Sequence, residues 1–291
     1  MYSRLSDILS ARWLIYRNEI LNYLPLMVSF LNGNKMAISD FGADKENNKP
    51  YAVAEGPGKL ADRWDLNDIE LPENSIAVIP IQGVMVAWKT MELIDHIRMA
   101  ENNPKIISIL FLVNTPGGMV FMTDIAADAI KNSPLPSVAF VLNMAASAGM
   151  WLVSACNERI ASSQLDRFGS IGVKTSFTDI NGFLKDKLGI TIYDIYATKA
   201  TEKDGEIRAL LSGDTKPIVD DLDFTNDIFH QVIIQNLGIS EDSPAFTGAM
   251  FSAKRAIELG LCDRIDSIEN AIDAAYKLGM KNRIQSMFNN Y

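Results

Sequence analysis

The stretch "NMAASAGMWL", residues 143 to 152, places one hydroxyl, Ser147, among alanines and a glycine at the start of an apolar run. A serine flanked by side chains this small lets a polypeptide backbone approach, and backbone N–H groups around it can stabilise the oxyanion of acyl transfer. A second loop, "TPGGMV", supplies Gly117 and Gly118, a tight turn with two unobstructed N–H groups as a helix begins. The candidate oxyanion hole is Gly117, Gly118 and Ala148, with the N–H groups of Gly118 and Ala148 the natural donors. Taken singly, the serine is an ordinary helix N-cap and the glycine pair an ordinary turn. Their joint placement points to a site.

That placement comes from the elements around them. "SIAVIPIQG" (75–83) is a β-branched run ended by glycine, followed by a helical "MELIDHIRMAENN" and a second apolar strand, "KIISILFLVN". "MTDIAADAIKNS" is helical again, and "PSVAFVLN" is a third strand. Near-continuous apolar strands alternating with helices predict a parallel sheet buried on both faces, with right-handed crossovers. Function in such sheets collects at loops leaving the carboxyl ends of strands. "TPGG" leaves one strand and "MAASAG" the next, so the two loops are expected to be neighbours.

A hydroxyl nucleophile needs a base. His96 falls in the first helix and His230 in a long downstream helix, "PIVDDLDFTNDIFHQVIIQNLG", neither with an acidic partner at a loop end. A Ser/His/Asp triad is thus weakly supported. Lysine is the remaining choice, and burial must lower its pKa by about 3 units for work near neutral pH.

Composition excludes other classes. The 291 residues carry a net charge of −9 and are 48% hydrophobic, enough for a full core and without a basic face for nucleic acid or an anionic membrane. Cys156 and Cys262 lack any CxxC or His-rich context, so neither a disulfide framework nor a zinc site is expected, nor any cofactor. Charges at Arg4, Asp7, Arg12, Arg17 and Glu19 break up the N-terminal apolar stretches, so a signal sequence or membrane span is not expected there. Leu5, Ile8, Leu9, Trp13, Ile20, Leu21 and Leu24 recur near helical spacing and predict an amphipathic helix ending near Pro25, packed on its own domain or docking a partner. Residues 43–65 read as a polar linker. The expected domains are an N-terminal helical segment and linker (1–72), a catalytic domain (73–280) and a tail (281–291).

"VNTPGGMV" resembles the oxyanion loop of the signal peptide peptidase A-like serine peptidases, which include prohead proteases of tailed bacteriophages, with Thr115 where serine is usual. "NMAASAGMWLVSACNERIAS" is similar to the family's nucleophile block, "RFGSIGV" (167–173) to its TGSIGV block, and "FSAKRAIELGLCDRIDS" to its closing helix and strand. The resemblance implies an α/β fold, a crotonase/Clp-protease-like parallel sheet with flanking helices, here with the added N-terminal helical segment. It also implies a Ser/Lys dyad with Ser147 as nucleophile and Ser170 orienting the lysine, although Ser170 also reads as a turn residue beside Gly169.

In that family the lysine follows a strand ending in a small residue. Here "ITIYDIYA" reads as that strand, ending at Ala197. Lys199 matches the distance, whereas Lys203, in "EKDG", matches the local context, and the reading takes Lys203 with Lys199 as the alternative. The implied activity is peptide-bond hydrolysis in capsid maturation, on scaffold or portal-associated polypeptides, by a homo-oligomer in the bacterial cytoplasm or the prohead. Two other readings share the fold: an acyl-CoA hydratase or thioesterase, and an inactive structural ring component.

Overall fold

A computed structural model describes residues 13–15, 49–54, 63–177, 181–189 and 191–289. Among them, two three-residue strands come first, β1 (Trp13–Ile15) and β2 (Tyr51–Val53). β3 (Ser75–Gln82), α1 (Ala87–Asn102), β4 (Ile106–Thr115), β5 (Gly117–Met119), α2 (Thr123–Lys131), β6 (Ser137–Ala146) and α3 (Ala148–Ser154) follow. Next are β7 (Glu158–Ala161), β8 (Arg167–Gly169), α4 (Asn181–Leu188), α5 (Gly205–Leu211) and α6 (Lys216–Leu237). β9 (Met250–Ser252), α7 (Ala253–Glu258), β10 (Arg264–Ile265) and α8 (Ile268–Asn289) close the chain.

The runs "SIAVIPIQ", "IISILFLVNT" and "SVAFVLNMAA" are buried nearly throughout, as strands covered on both faces must be. They form the parallel centre of a sheet ordered β2, β3, β4, β6, β7, β10, with β2 antiparallel on one edge. One face packs Ile79, Phe111 and Ala139 together with Ile97 of α1, Ala127 of α2, Trp151 of α3 and Phe229 of α6. The other packs Val78, Leu110, Val138 and Phe140 with Ala271 and Ala275 of α8. Small residues let α8 lie close to the sheet: a Cβ at Gly279 would stand 2.7 Å from the Ile107 carbonyl oxygen. No helix among the described residues is long and apolar enough to cross a membrane.

One irregularity in β6 prepares the site. Val113 pairs with Val141 but Thr115 with Ala145, so β6 carries extra residues around Asn143, which takes φ +79. Such a bulge bends a strand and changes its partner. Val138–Val141 pair with β7, whereas Met144–Ala146 pair with β8. Asp166 holds the bend, its carboxylate accepting from Asn143 N, Ser162 Oγ and Ser163 N, each at 2.9 Å.

Three expectations from sequence change. Of the N-terminal amphipathic helix, the described part, Trp13–Ile15, is a strand, and the rest lies outside the described residues. The stretch read as linker contributes β2, Ala52 pairs with Trp64, and Leu66 and Leu71 are buried in the core. A three-residue strand is too short to show an alternating pattern among Pro, Gly and charged residues. "ITIYDIYA" forms no strand in its described residues, 191–197, and Tyr193 and Ile195 are 80% and 92% exposed. Its β-branched composition is strand-like, but no strand among the described residues pairs with it. The ordered core thus begins upstream of residue 73, and α8 runs without a break past residue 281.

Candidate active site

Ser147 stands where β6 gives way to α3, with φ +54 and ψ −115, a conformation a non-glycine residue rarely adopts. Holding it there costs about 1–3 kcal/mol, and surrounding structure must enforce it. The Ser147 N–H donates to Gly169 O at 2.8 Å, and its carbonyl accepts from Trp151 N at 3.1 Å. Trp151 stacks on Phe229 with ring centroids 4.7 Å apart, which pins α3 to α6. Ser147 occupies the N-cap position, yet its side chain makes no capping hydrogen bond. Its Oγ donates to Gly172 O over a long 3.5 Å. The ordinary helix-capping role is therefore unfilled, and the hydroxyl is lightly held in a buried position, 1% exposed.

The glycine loop lies beside it. Thr115 pairs with Ala145 two residues before Ser147, and a Cβ on Gly149 would come 2.5 Å from Thr115 Cγ2. Thr115 Oγ1 donates to Gly83 O at 2.6 Å and accepts from Gly117 N at 3.1 Å. The Gly117 N–H, one of the donors expected from sequence, is thus engaged inside the turn. Met85 N donates to Gly117 O and Met119 N to Met85 O, both at 2.8 Å, so Met85 lies along one edge of β5. The polar groups of successive strand residues face opposite edges. Gly118 N–H and C=O therefore face the edge away from Met85. A Cβ at Gly118 would sit inside the Met85 carbonyl, so only glycine fits.

Ser170 follows Gly169, the residue paired with Ala146, and so begins the loop next to Ser147. It takes φ +52, and its N–H donates to Ala249 O at 2.7 Å. Ala148 opens α3 fully buried, its N–H among the first of a helix and without an intrahelical acceptor. Ser147, Gly118, Ala148 and Ser170 thus come together. The two lysines do not join them: Lys199 and Lys203 lie exposed in turns before α5, and no hydrogen bond links either to Ser147 among the described residues.

Sequence reasoning missed two contributors. Asp166 and Asn143 build the bend that aims Ser147, and their link is tertiary, with no local signature. Lys89, partly buried, donates to Gln82 O at 3.1 Å near Gly83, and burial lowers its pKa. Burial also lowers the pKa of both histidines. His230 packs on Phe246, and its Nε2 is buried without a hydrogen-bond partner among the described residues. A cavity of about 450 Å³, lined by Tyr51, Val78, Leu110, Phe140 and Ile272, opens on the α8 face and includes none of these site residues.

Burial pushes the Cys156 thiol up to about 12 and the Cys262 thiol up to about 11. Neither is a thiolate near neutral pH, which removes both as nucleophiles. Ellman's reagent at pH 8 is expected to leave both unmodified in the folded protein and to titrate both in denaturant. Rapid reaction of either in the native chain would contradict their burial.

Residues 129–281, which hold Ser147, Ser170 and both lysines, match Peptidase family S49. The chain belongs to peptidase family S49. Among curated proteins, it is 31% identical over 215 residues to capsid assembly protease C of Escherichia phage lambda, covering 68% of this chain and 48% of that protein. It is 28% identical over 202 residues to a protein of Enterococcus faecium named as signal peptide peptidase SppA, covering 65% and 56%. The chain therefore spans about half the length of these relatives. A solved ClpP1 mutant from Listeria monocytogenes superposes with a TM-score of 0.46 at 15% identity, over 67% of this chain and 94% of that one.

Proposed function

We propose that this family S49 chain is a serine endopeptidase in which Ser147 attacks the scissile carbonyl, the Gly118 and Ala148 N–H groups receive the oxyanion, and Ser170 positions a lysine base. One observation carries the reading: a buried serine is held at φ +54 at the start of a helix it does not cap. Strain of this kind, enforced by Gly169 on one side and the β6 bulge on the other, turns a hydroxyl toward a neighbouring group. The name of the lambda relative supports a role in phage or prophage capsid maturation, with scaffold or portal-associated polypeptides as substrates, in the host cytoplasm or the prohead. A fluorophosphonate probe is expected to label the folded protein on Ser147 and to leave Ser147→Ala unlabelled. A folded chain that takes no label refutes the reading.

The base is assigned to Lys203, with Lys199 as the alternative. Asp204, the next residue, takes φ +55 and leads directly into α5, so the backbone after Lys203 is held. A lysine base must be desolvated to work near neutral pH. Packing of residues 191–204 against a second copy of the chain would bury Tyr193 and Ile195 and supply that desolvation, in keeping with a homo-oligomer. Lys203→Ala is expected to lose activity as completely as Ser147→Ala, while Lys199→Ala keeps most of it. The reverse pattern in a peptide-hydrolysis assay moves the base to Lys199, and two active variants remove the dyad.

A further inference from the structure

β1 is not part of the main sheet. Trp13, Leu14 and Ile15 pair antiparallel with Met119, Gly118 and Gly117, in a separate two-stranded sheet. The two partners are about a hundred residues apart in the chain, so no hairpin places β1 there. The edge it occupies is the one that carries the Gly118 N–H, because Gly117 O and Met119 N are bonded to Met85 on the other side. In an antiparallel ladder, two facing residues exchange both hydrogen bonds when their polar groups point at one another. The Gly118 N–H therefore donates to the Leu14 carbonyl, and Leu14 N–H donates back to Gly118 O. Leu14 thus places its carbonyl on the N–H assigned above to the oxyanion.

This is how an extended peptide docks by adding a strand to a sheet edge, with main-chain bonds setting its register. A two-stranded sheet of three residue pairs is marginal by itself, so its occupant is exchangeable rather than a fixed part of the scaffold. We propose that Trp13–Ile15 is a peptide substrate bound in cis, with the Leu14–Ile15 bond presented to Ser147. The proposal rests on the reading of Ser147 as nucleophile. In the step, Ser147 Oγ bonds to the Leu14 carbonyl carbon and its proton passes to the base. The C–N bond to Ile15 breaks, and the Ile15 nitrogen leaves as an amine after taking that proton. Water then hydrolyses the seryl ester, giving a Leu14 carboxylate and restoring the Ser147 hydroxyl. The same register makes the residue opposite Gly118 the acyl-side residue of any substrate, here a leucine.

The test incubates the purified 291-residue chain at neutral pH and follows it by intact-mass spectrometry and N-terminal sequencing, with fluorophosphonate labelling in parallel. Expected are loss of residues 1–14, a new N-terminus at Ile15, and an intact Ser147→Ala chain. Ser147→Ala mixed with active chain stays uncut, as cis cleavage requires. Ile15→Pro retains fluorophosphonate labelling but is not cut at that bond. The Ile15 N–H faces away from β5, so that change leaves both hydrogen bonds to Gly118 in place. A labelled chain that stays intact, is cut at another bond, or cuts Ser147→Ala in trans overturns the proposal while leaving the peptidase reading standing. A folded chain that is neither labelled nor cut overturns both.

Discussion

Ser147→Ala is expected to abolish peptide hydrolysis, with kcat falling by a factor of order 10⁶, while the fold is retained. The change deletes one oxygen whose recorded contact, Gly172 O at 3.5 Å, is too long to contribute much stability. Alanine inherits the same φ of +54 that serine already tolerates, and the bonds that hold the residue, from its N–H to Gly169 and from Trp151 to its carbonyl, are main-chain bonds. The thermal midpoint is accordingly expected to move by no more than a few degrees. The measurement is a peptide-hydrolysis rate beside a melting curve. A variant with a tenth of wild-type turnover would place the nucleophile elsewhere, and one that fails to fold would mean the hydroxyl is structural.

Gly118→Val has the second-largest expected effect, because it strikes the proposed oxyanion donor and the packing together. Gly118 does not depend on a left-handed backbone; it is excluded from carrying a side chain by the Met85 carbonyl lying against it. Any Cβ forces β5 away from Met85, breaking the pair of 2.8 Å bonds that orient the Gly118 N–H. Misplacing one such donor lowers kcat by about 10²–10³, and forced repacking costs about 1–3 kcal/mol of stability. Gly118→Ala separates the two effects, since its smaller side chain makes the same backbone clash with less repacking. Both variants are expected to fold at reduced temperature with turnover down at least a hundredfold, read by hydrolysis rate and circular dichroism. Full activity in Gly118→Val would move the oxyanion hole away from this loop.

The amino-acid sequence by itself determined the central sheet and the placement of its two loops. β3, β4 and β6 are long apolar runs whose burial on both faces leaves no other arrangement, and the helices between them make the order parallel. With that order, "TPGG" and "MAASAG" fall at adjacent strand ends, so the neighbouring placement of Gly118, Ser147 and Ala148 was legible in the sequence. The polarity and charge of the N-terminal residues, by contrast, fit a helix and gave no sign of the three-residue strand on β5.

What only the tertiary structure decided are pairings between residues distant in the chain. Asp166 holds Asn143 across 23 positions, Gly117 N–H is spent on Thr115 Oγ1, and Met85 forbids a side chain at Gly118. Trp13–Ile15 finds its partner on Gly117–Met119, whereas "ITIYDIYA", with the stronger strand composition, finds none in its described residues. Periodicity and residue type report how much of a segment is buried and on which side. A strand, however, exists only when another edge presents hydrogen-bonding groups in register, and which edge that is depends on the folded positions of both.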